Sequence, residues 1–220
     1  MIPLVRFKLA AYTRSHRLLQ PVIALFAMLA IFYSSPGPAL PSYSDSAALL
    51  IVVFAWAARS LLDTEPPTQR LISMTAAGNP GREVASGLVA AFAVNLGLAA
   101  IAIVAPLIIR FGVLPAPGDL ARGVGLHLLG VCVGIALGAL ASAPILPSPA
   151  TSLVALFGGY TAMLLLSLTP IGSFLVPIMP WMRATNSGRL DEVLLPIAAA
   201  TLLWSAAGVL AYLRLRRSRP

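Results

Sequence analysis

Side chains able to do chemistry are scarce in this sequence, and most of them lie outside its apolar runs. Seven carboxylates (Asp45, Asp63, Glu65, Glu83, Asp119, Asp191 and Glu192) stand against fifteen basic residues, of which Lys8 alone is a lysine. No carboxylate falls in the middle of an apolar run, whereas proton- and cation-driven carriers rely on an ionisable group at membrane depth. His127 is the one titratable candidate there. It reads either as part of a translocation path or as a hydrogen-bonded packing residue. Asn95, the one amide at that depth, reads equally as part of a polar path or as a helix–helix hydrogen bond. Ser142 and Ser152 have no base nearby in sequence, so an activated serine is not expected. His16 and His127 are the only histidines and Cys132 the only cysteine, too few for the usual metal site or a disulfide framework. A phosphate-binding Walker loop needs a lysine after its glycine, and Lys8 follows Phe7. No catalytic site or cofactor is therefore expected in this chain. Any ATP hydrolysis must come from a partner.

The densest polar passage is 63–83, DTEPPTQRLISMTAAGNPGRE, with Asp63, Glu65, Arg70, Arg82 and Glu83. Pro66 and Pro67 suit a first helical turn, and Gly78 suits a left-handed stop. In the helix between them, Leu71, Ile72, Thr75 and Ala76 share one side, opposite Gln69, Arg70 and Ser73. A short capped helix of this kind has little to bury in its own chain. It reads as a docking element for another protein, with a solvated loop as the alternative.

The elements around that passage are membrane spans. The 220 residues are 59% hydrophobic and 10% charged, against about a quarter charged in soluble domains. Mean hydropathy is +0.91. The fold class expected is all-α: one polytopic membrane domain over 1–220. Residues 3–19 read as an interfacial helix with Arg6, Thr13, Arg14 and Arg17 on one arc and Lys8 snorkelling from the apolar side. A signal peptide is the competing reading, but its basic region would be unusually long. Six apolar runs follow, at about 18–34, 46–62, 83–109, 121–143, 150–169 and 191–213, each near the ~20 residues that cross a hydrocarbon core. Between the last two, 170–190 is apolar and broken by Pro170, Pro177 and Pro180. It reads as one or two short helices re-entering the outer leaflet, with Trp181 at headgroup level, or as a Pro-rich surface loop. Gly130, Gly134 and Gly138, four apart, offer one face for close helix contact, and Pro196 should kink or loosen the last span.

Basic residues set the orientation. With the N-terminus inside, the cytoplasmic side receives Arg6, Lys8, Arg14, Arg17, Arg59, Arg70, Arg82, Arg214, Arg216, Arg217 and Arg219, and the outside only Arg110, Arg122, Arg183 and Arg189. Both termini are expected inside. The same distribution accounts for the net charge of +8 without nucleic acid.

An amphipathic start, six spans, a cytoplasmic helix between spans two and three, and a broken segment before span six together resemble the permease subunit of a type-2 ABC exporter. The resemblance covers essentially the whole chain, as architecture more than as motif. Its most specific part is 59–88, where Glu65, Thr68, Leu71, Ile72, Pro80 and Arg82 follow the family's order. Pro67 stands where the family has glycine before the threonine, and the lysine common shortly after Arg82 is missing. The resemblance implies that 3–19 is the elbow helix and 63–82 the coupling loop. It implies two permease copies, or one with a related sister, served by cytoplasmic ABC ATPase subunits that bind ATP and Mg. It places the protein in the bacterial cytoplasmic membrane, surrounded by lipid. Glu65, Thr68, Arg70, Leu71, Met74 and Arg82 become the candidate coupling residues, with Arg70 pairing to the partner and Leu71 and Met74 as apolar anchors. An uncharged interior rich in small residues points to an amphipathic or lipid-like cargo, such as a drug, a modified peptide or a lipid-linked molecule. The competing readings are a haem-exporter-type permease, a membrane scaffold or assembly factor without transport, and a secondary carrier.

Overall fold

Proline and glycine set where the helices begin and end. The computed structural model describes residues 1–34, 37–109 and 114–217. Among them all regular structure is helical: α1 Ile2–Arg14, α2 Leu19–Phe32, α3 Ala39–Leu49, α4 Ile51–Leu62, α5 Pro67–Ala77, α6 Pro80–Ile109, α7 Pro117–Leu140, α8 Pro149–Leu168, α9 Gly172–Leu175, α10 Ile178–Asn186 and α11 Leu190–Arg217. Proline sits in the first turn of α1, α5, α6, α7 and α8, where a missing N–H sacrifices no helical bond. Gly78 ends α5 at φ 66°, in the left-handed region that only glycine enters without strain.

Five stretches are long and apolar enough to cross a bilayer: α3 with α4, α6, α7, α8 and α11. The number rises to six if α1 and α2, bent by 72° at their junction, count as one span. This is the make-up of a multi-pass membrane protein. The expected first span, 18–34, shortens to the 14 residues of α2, about 21 Å at the helical rise and so less than a ~30 Å hydrocarbon core. The expected helix over 3–19 stops at Arg14, and the turn that follows places His16 at φ 57°.

The second span begins at Ala39, well before the expected residue 46. The polar run of Ser42, Tyr43 and Ser46 resembles a connection in sequence, but these three hydroxyls all find carbonyl acceptors in the folded chain. Ser42 donates to the Pro38 carbonyl at 2.8 Å, Ser46 to Tyr43 at 3.1 Å, and Tyr43 to Ile103 of α6 at 3.0 Å. Residues 170–190 form α9 and α10 on either side of Pro177. Trp181 is enclosed by protein. α10 packs against α3, α8 and α11, and the indole is fully enclosed.

α7 and the α3–α4 rod hold the centre of the bundle, with α6, α8 and α11 less buried around them. The glycine face of α7 makes that centre close-packed. A Cβ on Gly134 would stand 2.5 Å from Phe54 Cβ and 3.0 Å from the Ala55 nitrogen, and one on Gly138 would collide with the Ala55 carbonyl oxygen. In a bilayer, where water does not drive helices together, such backbone proximity supplies the van der Waals contact that holds them. Exposed apolar side chains such as Val104, Leu165 and Leu203 cover the outer helices.

Candidate functional site

At one end of the bundle α4 stops, α6 starts, α11 finishes, and α5 lies between α4 and α6. Four charges meet there away from solvent. Lys8 Nζ of α1 donates to Glu65 Oε1 at 2.7 Å and to Glu83 Oε1 at 2.9 Å. Glu83 Oε2 accepts from Arg216 Nη2 at 2.5 Å. The side chains of all four are between 2% and 11% exposed. Two cations thus neutralise two anions, which is the condition for burying any of them. Lys8 therefore does not snorkel as its sequence position suggested. Arg216 is further held by Tyr212, one turn back, which accepts from Nη1 at 2.6 Å.

Neighbouring bonds extend the tie. Tyr12, one turn after Lys8, meets Ser60 of α4 at 2.7 Å. Arg17 donates to the Asp63 carbonyl at 2.6 Å, and Arg70 to the Leu62 carbonyl at 2.9 Å. The Asp63 carboxylate accepts from the Ala143 amide, three residues past the end of α7, at 2.6 Å. Burial, the largest influence, holds this carboxyl above the usual range, opposed by the Ala143 amide and by Arg59, Arg70 and Arg17. Arg59 also bonds Ser152 at the start of α8. α1, the turn after it, the segment after α7, the start of α8 and the end of α11 are thus each joined to residues 59–83.

α5 is amphipathic in an inverted sense. Its polar side faces the bundle: Ser73 is buried, and Gln69 and Arg70 are half-buried. Its apolar side faces out, with Leu71 63% and Ile72 68% exposed beside exposed Thr75 and Ala76. A groove of about 410 Å³ runs next to it, lined by Met1, Leu4, Phe7, Ala76, Ala77 and Arg82.

The expected coupling residues divide on this geometry. Thr68, Leu71 and Arg82 are exposed and Met74 is half-buried. Glu65 points inward to Lys8, and Arg70 is bonded to its own chain, so neither is presented as a free charge. The apolar pair on the outer face is Leu71 with Ile72, in place of Leu71 with Met74. Lys8, Glu83 and Arg216 were not among the expected site residues. The signal available was a lone lysine on an apolar arc, which demands a buried anion somewhere.

No hydrogen bond joins His127 and Asn95 among the described residues. His127 is enclosed, its Nδ1 bonded to the Gly123 carbonyl at 2.8 Å and its Nε2 3.4 Å from Ser46 Oγ, with the Tyr43 ring edge-on. Asn95 is also enclosed, and its amide has no hydrogen-bond partner among the described residues. No cluster of three or more His, Cys, Asp or Glu side chains suited to a metal occurs among the described residues.

Comparison with known proteins returns no match: no family model, no curated protein and no solved structure.

Proposed function

We propose that this chain is the membrane-spanning subunit of an ATP-driven exporter of the type-2 ABC kind, moving an amphipathic or lipid-like cargo outward across a bacterial cytoplasmic membrane. One observation carries the reading: α5 turns Leu71 and Ile72 away from the bundle while the acids on either side of it, Glu65 and Glu83, are tied by buried ion pairs to α1 and α11. A solvated loop has no use for either feature. An amphipathic helix laid against a partner has use for both, because apolar residues anchor it in a groove and rigid ties pass its movement on. On this reading the partner is a cytoplasmic ATPase subunit that holds ATP and Mg. Closure of two such subunits pushes α5. The push reaches α1 through Glu65 and Lys8, and α11 through Glu83 and Arg216. A second permease copy or a related sister completes the path, and this chain performs no chemistry of its own.

The test is purification of the complex from its native membrane. The expected companion carries a Walker loop and hydrolyses ATP. Leu71→Ala with Ile72→Ala should leave insertion and yield unchanged while ATPase association falls at least about fivefold, since buried interface anchors commonly contribute more than about 1 kcal/mol each. A wild-type complex without an ATPase, or full association of the double variant, would overturn the proposal.

A further inference from the structure

The opposite end of the bundle carries a second pocket, of about 560 Å³, between α9, α10 and the first turns of α11. Its rim holds Arg183 and Arg189, and its apolar wall includes Phe174, Ile197 and Ala200. The rim is built by a tight turn. Gly188, at φ 72°, lets the Arg189 amide return to the Ala184 carbonyl at 2.9 Å, which sets the last turn of α10 against the start of α11.

The charges there are unbalanced. Asp191, the carboxylate nearest in sequence to Arg189, is taken by Arg122 of α7, which grips both its oxygens at 2.7 and 2.6 Å. Among the described residues neither Arg183 nor Arg189 forms an ion pair, and Glu192 is the one carboxylate in the lining. Two guanidinium groups therefore share a rim with a single carboxylate. The rest of the lining is largely apolar and includes Phe174, which is 86% exposed. A small hydrophilic anion would use the rim and leave the wall bare. A hydrocarbon would use the wall and leave the arginines without a counter-charge. An amphiphile with an anionic head satisfies both, and the pocket lies where α7 and α11 start, at the edge of the apolar layer.

We infer that this pocket binds an anionic phospholipid, its phosphate between Arg183 and Arg189 and the start of an acyl chain along Ile197 and Ala200. Guanidinium groups suit this role because their planar N–H donors match phosphate oxygens and hold charge at any physiological pH. The inference does not depend on the transport reading, because it concerns the opposite end of the molecule and needs no ATPase.

Native mass spectrometry of the purified full chain, titrated with dioleoyl-phosphatidylglycerol or dioleoyl-phosphatidylcholine, tests it. The wild type should retain the anionic lipid about tenfold more tightly. Arg183→Gln with Arg189→Gln should abolish the preference. Arg6→Gln with Arg14→Gln, which removes equal charge at the other end, should keep it. Ala200→Phe, which fills the apolar wall, should weaken both lipids and preserve their ratio. Equal retention of the two lipids by the wild type overturns the inference, as does a preference that survives loss of both rim arginines or falls equally in the Arg6/Arg14 variant. Unchanged lipid binding in Ala200→Phe, or displacement of the lipid by inorganic phosphate at equal concentration, removes the acyl chain from the pocket and overturns it too.

Discussion

Lys8 shows what a single buried charge requires. Its ammonium has two carboxylate partners and almost no water, so its replacement leaves Glu65 and Glu83 enclosed with one cation, Arg216, which pairs with Glu83 alone. Breaking a buried ion pair from one side commonly costs about 3–5 kcal/mol, whereas removing both partners is often close to neutral. Lys8→Met should therefore destabilise the purified protein by about that amount, measured by SDS or urea unfolding. Lys8→Met with Glu65→Gln should recover most of the loss, because Glu83 and Arg216 then balance. A double variant no better than Lys8→Met would show that the four residues do not act as one neutral group. This network was illegible in sequence for a plain reason. Lys8 lies 57 and 75 residues from its partners, and no local pattern links a lysine in an amphipathic start to a glutamate opening a later span.

Elements were legible where their determinants are local. The limits of α5 follow from Pro66, Pro67 and Gly78, and its two faces from the periodicity of Leu71, Ile72, Gln69 and Ser73. Which face turns inward was not legible, because the bonds of Arg70 and the burial of Ser73 depend on α4 and α6. The start of α3 was missed for a similar reason: Ser42 and Ser46, which look like a loop, bond back to carbonyls of their own helix, and Tyr43 is satisfied by Ile103 of α6. The glycine spacing of α7 was readable, and the structure adds the partner, α3 with α4. Gly134→Ala places a methyl group against Phe54 Cβ and the Ala55 backbone. Such overpacking typically costs about 1–3 kcal/mol, because backbone cannot yield as a side-chain tip can. Gly125→Ala, on the same helix with nothing within 4 Å of the new methyl, is the control and should be neutral or mildly stabilising. Thermal unfolding in detergent should separate the two. Equal melting temperatures would mean that α7 and α4 can part without loss.

At the scale of the whole molecule the two ends differ in charge. Arg6, Lys8, Arg14, Arg17, Arg59, Arg70, Arg82, Arg214, Arg216 and Arg217 belong to the end that carries α5, while Arg122, Arg183 and Arg189 belong to the other; Arg110 and Arg219 lie outside the described residues. Basic flanks are retained on the cytoplasmic side during insertion, so the α5 end should face the cytoplasm. The transport proposal takes its biological meaning from that orientation, because α5 must meet a cytoplasmic ATPase; for the lipid pocket it sets only which leaflet supplies the lipid. Cysteine accessibility decides it. Cys132, half-buried in α7, is first replaced by serine to leave a background without thiols. Asn79, just after α5, and Ser187, at the end of α10, are both exposed and sit at opposite ends. In intact cells a membrane-impermeant maleimide should label Ser187→Cys and spare Asn79→Cys, and lysis should expose both. The reverse pattern would put α5 outside, beyond the reach of any ATP-binding partner. The transport proposal would then fall, while the ion network and the lipid pocket, which rest on side-chain geometry alone, would stand with their sides exchanged.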